Sequence, residues 1–252
     1  MRVAVVGGTG TAGAPAVAAL EAAGHEVRVL SRSSPSHPVD LLDGSGLDAA
    51  LEGCELVVDA GNAGPKAAPA RAVLVEGGRR LLEAEQRAGV GHHICISIVG
   101  IDDFPLAYYR VKLEQEATVK AGPIPWSIVR ATQFHSFVAF NFATLARFRL
   151  LPRITAPLQP VDVGEVADVI VEAAAGAPTG ATATVAGPEV RPIADFARAW
   201  REATGRRAAL VPLPLVGATG RALKAGALTD PSPDRRGGVT FAESLRRSSG
   251  QG

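Results

Sequence analysis

Aromatic side chains are scarce: eight Phe, two Tyr and two Trp in 252 residues. A core must then be assembled from small aliphatics, and the 47% hydrophobic content leaves enough of them for a globular α/β protein of one large or two small domains. Cysteine is nearly absent. Cys54 and Cys95 have neither a CxxC nor a Cys/His ligand spacing, which excludes a disulfide scaffold and a zinc module. Both read as reduced, buried thiols, and no metal is expected. A surplus of one charge sign is also missing. The 26 basic and 25 acidic side chains give a net charge of +1, which speaks against nucleic-acid or membrane-surface binding. No long apolar run occurs. The longest uncharged stretch, Ala131 to Ala146, is broken by Thr132, Gln133, His135, Ser136, Asn141 and Thr144, too short and polar to span a bilayer. The chain enters its first strand at once, so no signal peptide and a cytoplasmic location are expected.

What is present is concentrated at the start. Arg2 to Val6 is a short β-branched run, Gly7-Gly8-Thr9-Gly10-Thr11-Ala12-Gly13 follows directly, and an Ala-rich helical stretch comes next. Strand, glycine turn and helix are the context a dinucleotide fingerprint requires. The turn satisfies Gly8-x-Gly10-x-x-Gly13 and also Gly7-x-x-Gly10-x-x-Gly13. Glycines let the backbone approach a pyrophosphate, and the helix start offers it free N–H groups and a positive dipole end.

The first 130 residues alternate. Strands are predicted at 2–6, 26–30, 39–41, 56–59, 93–97 and 127–130. Helices are predicted at 11–23, 46–51, 70–88 and 107–120, with a looser one at 134–147. Short Val/Ile-rich strands separated by helices imply βαβ units on a parallel sheet, a doubly wound Rossmann-type α/β fold. The alternation fades near residue 150. A Pro-containing loop is expected over 152–160, a helix over 163–175 with Asp162 as a possible N-cap, a strand at 182–186, a helix at 193–204, a strand at 209–212 and a short helix at 215–225. The tail from Asp230 reads as loose at its end. This gives a 1–150 NAD(P)-binding core and a 151–252 small C-terminal substrate-binding cap, forming one structural unit.

The second strand ends in Leu30-Ser31-Arg32-Ser33-Ser34. No carboxylate stands where NAD would need one for its ribose hydroxyls. Arg32 flanked by Ser31 suits a 2′-phosphate, so the expected cofactor is NADP (NADPH). Asp40 and Leu41 either flank the adenine or mark a turn. Ala60, Gly61 and Asn62, after the strand at 56–59, would let the backbone pass close to the cofactor ribose.

The two tyrosines are adjacent, and Lys112, one of four lysines, lies four residues after Tyr108. On a helix the two share a face. A free tyrosine titrates near 10, and a nearby ammonium would lower that value. Tyr108 could then exchange a proton with a carbonyl or alcohol oxygen while Lys112 holds the nicotinamide ribose. Ser97, ending the strand at 93–97, either bonds a substrate oxygen or serves a turn. His135 either orients a substrate or is a half-buried histidine. Phe134, Phe137, Phe140 and Phe142 either line an apolar pocket or are core, with core favoured.

These residues resemble the short-chain dehydrogenase/reductase superfamily, which carries an N-terminal glycine motif, a serine at a strand end and Tyr-x-x-x-Lys on the next helix. The Gly7-x-x-Gly10-x-x-Gly13 spacing, Arg32, Gln133-Phe134-His135, the stretch from Pro160 to Ala167 and Val185-Ala186-Gly187-Pro188 are similar to its atypical, NmrA-like NAD(P)-binding branch. Only eleven positions separate Ser97 from Tyr108, slightly short of the family's spacing. The resemblance implies NADP laid across the carboxyl edge of the sheet, held by Gly7, Thr9, Gly10, Thr11, Ala12, Gly13, Ser31, Arg32, Asp40, Leu41, Ala60, Gly61, Asn62 and Lys112. It also implies Tyr108, Lys112 and Ser97 as the catalytic set and Gln133, Phe134 and His135 at the substrate. Three activities fit. One is an NADP-dependent oxidoreductase acting on a small apolar or aromatic carbonyl, quinone or enone. Another is a non-catalytic redox sensor. The third, a nucleotide-sugar epimerase or dehydratase, has little room in the short C-terminal part. A monomer or homodimer is expected.

Overall fold

Val3 to Val6 and Leu56 to Asp59 are buried without a break, as strands covered on both faces must be. The computed structural model describes residues 1–249. The chain runs β1 Arg2–Val6, α1 Gly13–Ala22, β2 Glu26–Leu30, α2 Leu47–Leu51, β3 Leu56–Asp59, α3 Ala67–Arg71, α4 Gly77–Ala88, β4 His92–Ile98, α5 Ala107–Ala121, β5 Trp126–Ala131 and α6 His135–Ala146. It continues through β6 Leu150–Arg153, β7 Pro157–Leu158, α7 Val163–Ala175, β8 Thr182–Ala186, β9 Arg191–Pro192, α8 Ile193–Thr204, β10 Ala209–Pro212, α9 Gly217–Lys224, β11 Arg235–Arg236 and α10 Phe241–Ser249. A π-helical turn, Ala72–Glu76, joins α3 to α4.

Two compact units emerge, each drawing on three segments. The first holds 1–97, 107–130 and 166–183. Its strands stand in the order β5-β4-β3-β1-β2, with the start of β8 beside β5. This is a Rossmann-type α/β sheet. Val6 pairs in parallel with Leu30 and with Asp59, and Asp59 pairs with Cys95. The loops after β1, β2, β3 and β4 therefore leave from one edge. The order reverses between β1 and β3, the switch point where such sheets bind ligands. The core beneath is aliphatic: Leu30, Leu47, Leu51, Val57, Leu81 and Ile124 pack together.

The second unit holds 98–106, 131–165 and 184–252. It contains the parallel pair β6–β10, the antiparallel pair β7–β9, and β11 along the end of β8. The Phe241 ring is its centre, meeting Phe142, Phe196 and His135 edge-on.

Four expectations need correction. Residues 39–41 are not a strand. Asp40 opens a turn, accepting Leu42 N–H on its carboxylate and Gly44 N–H on its carbonyl, so its bonds are spent locally. The 152–160 loop holds β7 and the end of β6. The tail contains β11 and α10. A capping box starts α10: Glu243 takes Thr240 N–H, and Thr240 Oγ1 takes Glu243 N–H. The last residues, 250–252, where the chain end was expected to be loose, lie outside the described residues. The single helix expected over 70–88 starts earlier, at Ala67, and is interrupted by the π-helical turn; the other elements fall close to where expected, and Asp162 accepts Gly164 N–H at the start of α7.

Candidate functional site

The glycine turn is tight for a steric reason. Gly7 has φ +68°, and a Cβ there would lie 2.9 Å from the Ala60 carbonyl oxygen. A Cβ on Gly13 would lie 2.1 Å from the Gly7 carbonyl oxygen. The 7-10-13 spacing is thus the one that closes the turn, with Gly10 N–H bonded to Gly7 O and Ala14 N–H to Gly10 O. Helix α1 starts at Gly13 with no side-chain cap and no acidic residue in its first turn. A helix start of this kind, reached by glycine backbone, fits a pyrophosphate. Thr9, Thr11 and Ala12 sit on the same turn.

Beyond β2, Ser34 and Val39 donate their N–H groups to the Ser31 carbonyl and fold the loop back. Ser31 Oγ stands 3.4 Å from Ser33 Oγ. Arg32 is exposed and has no hydrogen bond or ion pair among the described residues. Leu41 packs on Gly77, where a Cβ would lie 2.8 Å from the Leu41 Cβ.

Tyr108 opens α5. Its hydroxyl donates to Asn62 Oδ1 at 2.8 Å, on the loop after β3. Burial first, then the neighbouring Tyr109, push its pKa up to about 12. This corrects the expectation that Lys112 lowers it. The Lys112 side chain is 3% exposed. Its ammonium donates to the Ile96 carbonyl at 2.8 Å and to Gln115 Oε1 at 2.5 Å, which leaves one N–H. Ser97 is buried too, and its Oγ has no partner at hydrogen-bond geometry. It lies close enough to Glu116 to act on that carboxyl. Burial would raise Glu116, but Arg130 forks onto both its oxygens, and with Ser97 and Lys120 it holds the carboxyl below its usual range. The structure thus joins Tyr108 to Asn62 and Lys112 to Gln115. It shows no hydrogen bond among Ser97, Tyr108 and Lys112.

Sequence reading missed what lies beneath α4 and α5. Glu85 accepts His93 Nδ1–H at 2.9 Å, both fully buried. Burial favours the neutral forms, whereas Glu85 raises the imidazole well above its ordinary value. His93, Cys95 and Asp59 offer ligand-type atoms within 4.8 Å of one another. Both Asp59 oxygens are already engaged, by Gly61 N–H and by Gln115 Nε2, so the cluster reads as a hydrogen-bonded network. No sequence spacing links these four residues. They meet because the alternation of β4 puts His93 and Cys95 on one face and register puts Asp59 opposite Cys95.

In the second unit, Phe134 bridges to Val161. His135 N–H bonds Val161 O, and Val161 N–H bonds Gln133 O. His135 Nε2 lies 3.0 Å from the Pro160 carbonyl, and a Cβ on Gly187 would strike that same carbonyl at 1.8 Å. The segments at 133–135, 160–162 and 185–188 therefore form one cluster. Both polar atoms of the Gln133 amide, Thr132 Oγ1 and His135 Nδ1 are buried without a hydrogen-bond partner among the described residues. The acid nearest His135 Nδ1 is Asp162, with Oδ2 3.8 Å away. Phe142 is core, but Phe137 and Phe140 are 56% and 68% exposed.

Sheet, switch point and glycine turn together define a Rossmann-type dinucleotide-binding protein. The chain belongs to the NAD(P)H-binding family, whose model matches residues 7–177. No curated protein matches it. Among solved structures it is similar to the NADPH-dependent quinone oxidoreductase QOR2 of Escherichia coli complexed with NADPH, at 15% identity and TM-score 0.80, covering 98% of this chain and 99% of that one. It is also similar to the triphenylmethane reductase of Citrobacter sp. complexed with NADP(H), at 15% identity and TM-score 0.78, covering 98% and 100%. A short-chain dehydrogenase/reductase superfamily protein of Agrobacterium tumefaciens with bound NAD gives 22% identity and TM-score 0.73, covering 99% and 98%. These likenesses show the fold. Among the described residues no helix is long and apolar enough to cross a membrane.

Proposed function

We propose that the chain is an NADP-dependent oxidoreductase of the atypical short-chain type, reducing a small apolar carbonyl, quinone or enone. The carrying observation is the Tyr108 hydroxyl, held at 2.8 Å by Asn62 on the loop after β3, at the edge of the sheet where the glycine turn lies. With its pKa pushed up to about 12, this phenol is protonated at neutral pH but is a weaker acid than a free tyrosine, so its proton passes to the substrate oxygen only if bound cofactor and substrate stabilise the phenolate. Bound NADPH supplies the hydride. The phenolate left behind recovers its proton from solvent. Gly7 to Gly13 hold the pyrophosphate, Arg32 and Ser31 the 2′-phosphate, and the remaining Lys112 N–H the nicotinamide ribose. Asp40 and Leu41 border the adenine, and Ala60, Gly61 and Asn62 border the ribose. Ser97, buried beside Glu116, is the weakest member of the set. Gln133, Phe134 and His135 face the substrate, with the unpartnered Gln133 amide offering it both a donor and an acceptor.

Fluorescence titration should show NADPH binding more tightly than NADH, and absorbance should show NADPH consumed with some member of a panel of quinones and aromatic ketones. Tyr108→Phe should leave NADPH affinity unchanged and cut turnover by about 10²–10⁴-fold; unchanged turnover removes Tyr108 from the mechanism. A non-catalytic NADP sensor is the second reading, favoured by Lys112, whose ammonium bonds Ile96 and Gln115 and does not offset the raised Tyr108 value. A sensor binds NADPH tightly and consumes none across the panel.

A further inference from the structure

We propose that Asp59 is a shared positioning residue, one carboxylate that sets both Lys112 and the loop holding Tyr108. The inference rests on the role given to Lys112 and Tyr108 above.

Asp59 ends β3 with its side chain 4% exposed. Oδ2 accepts Gln115 Nε2–H at 2.8 Å, and Gln115 Oε1 accepts the Lys112 ammonium. Gln115 and Lys112 are 1% and 3% exposed, so water does not compete for these bonds. The direction of the chain is forced. An ammonium only donates and an ionised carboxylate only accepts, so the amide between them has one orientation that pairs both ends. Lys112 is thereby held against the Ile96 carbonyl.

The other oxygen, Oδ1, accepts Gly61 N–H at 2.9 Å. A Cβ on Gly61 would lie 2.8 Å from Oδ1, so the loop closes on the carboxylate only because residue 61 is glycine. The next residue, Asn62, accepts the Tyr108 hydroxyl. Asp59 thus touches neither Tyr108 nor Lys112, yet its two oxygens reach them, through Gln115 on one side and through Gly61 and Asn62 on the other.

The polarity of the chain supplies a test at nearly constant bulk, in which each single variant breaks the donor–acceptor order and the double variant restores it together with the buried charge. In Asp59→Asn, the side-chain carbonyl stays on Gly61 and the introduced NH₂ group faces Gln115 Nε2. Gln115 must then turn a donor either to that NH₂ group or to Lys112, whichever way it flips. In Gln115→Glu, two carboxylates face one another. In the double variant the NH₂ group introduced at position 59 meets an acceptor, the carboxylate introduced at position 115. The second oxygen of that carboxylate takes Lys112, and the number of buried carboxylates is unchanged.

NADPH affinity by fluorescence and kcat and KM on the best panel substrate should be measured for wild type, both single variants and the double variant, with thermal melts in parallel. Each single variant is expected to lose about tenfold or more in NADPH affinity, and the double variant to recover to within about threefold of wild type, a coupling in the range seen for residues of one network. Single variants that match wild type overturn the proposal. So does a double variant no better than the worse single one, since residues that do not act through one network give additive losses, and so does a recovery seen in the melts but not in NADPH affinity, which is what a merely structural role gives. Should wild type bind NADPH but consume none, affinity still decides the Lys112 arm, and the enzyme assignment fails separately. A wild type that binds no NADPH brings down both.

Discussion

The two units settle their polar groups differently. In the first, buried side chains bond one another, Glu85 to His93 and Asp59 through Gln115 to Lys112, while the atoms left without a hydrogen-bond partner, such as His93 Nε2 and Ser97 Oγ, are scattered among the described residues. In the second, Thr132, Gln133 and His135 together bury four polar atoms without hydrogen-bond partners among the described residues, beside an aromatic cluster and next to the exposed Phe137 and Phe140. An unpaired buried polar atom costs about 1–3 kcal/mol, so the four clustered at Thr132, Gln133 and His135 give this segment reason to take a polar partner from outside.

The largest expected effect tests whether the second unit is a true core. Phe142 is 4% exposed and meets Trp200 and Phe241. Phe142→Ala should cost about 3–5 kcal/mol of stability in denaturant unfolding. Phe137→Ala and Phe140→Ala should each stay within about 0.5 kcal/mol. If either exposed ring costs as much as Phe142, the contrast between core and open face fails, because the helix face would then be buried in solution. If either changes KM for an aromatic ketone instead, that ring borders the substrate.

Next in size is the glycine turn. Gly13→Ala places a methyl carbon against the Gly7 carbonyl with no flexible neighbour to give way. Overpacking of this kind costs roughly 1–3 kcal/mol, on the order of 10- to 100-fold if it falls on NADPH affinity. Gly24→Ala is the control. Nothing lies within 4 Å of its added Cβ, so only its φ of +83° is strained, and stability but not affinity should fall. Equal affinity for wild type and Gly13→Ala would mean that the first unit is less rigidly preset than its contacts indicate.

How much of this was legible in the sequence follows the same division. The glycine turn, β1 to β5 and α5 are local patterns, and they form where the periodicity puts them. The spacing 7-10-13 was readable because sterics act over a few residues. The Asp59–Gln115–Lys112 chain was not, since strand and helix are brought together only by packing. Asp40 shows the reverse failure: a short apolar run reads as strand, but its own carboxylate turns the chain back first. Helix α10 was legible and missed. Thr240-Phe241-Ala242-Glu243 carries a capping-box signature, hidden by the Pro, Ser and Gly around it. The partners of Gln133 and His135 at 160–162 were visible only as separate segments of a family resemblance.

The smallest effect concerns the proton on Tyr108, and it distinguishes an environment imposed by the first unit from one supplied on ligand binding. A free tyrosine ionises near 10, and folding pushes Tyr108 up to about 12. Between those values the unfolded chain has lost the proton and the folded chain keeps it. The folded state then binds more protons, so the contribution of Tyr108 is intact below pH 10 and is lost as pH rises toward 12. Melting temperature should therefore fall more steeply above pH 10 for wild type than for Tyr108→Phe, which cannot ionise. Below pH 10 the two curves should run parallel. The same protonated hydroxyl implies that turnover shows no alkaline limb from Tyr108 below pH 10. A limb near neutral pH that vanishes in Lys112→Met would mean that the ammonium does act on the phenol once ligand is bound, restoring the coupling that the sequence led us to expect.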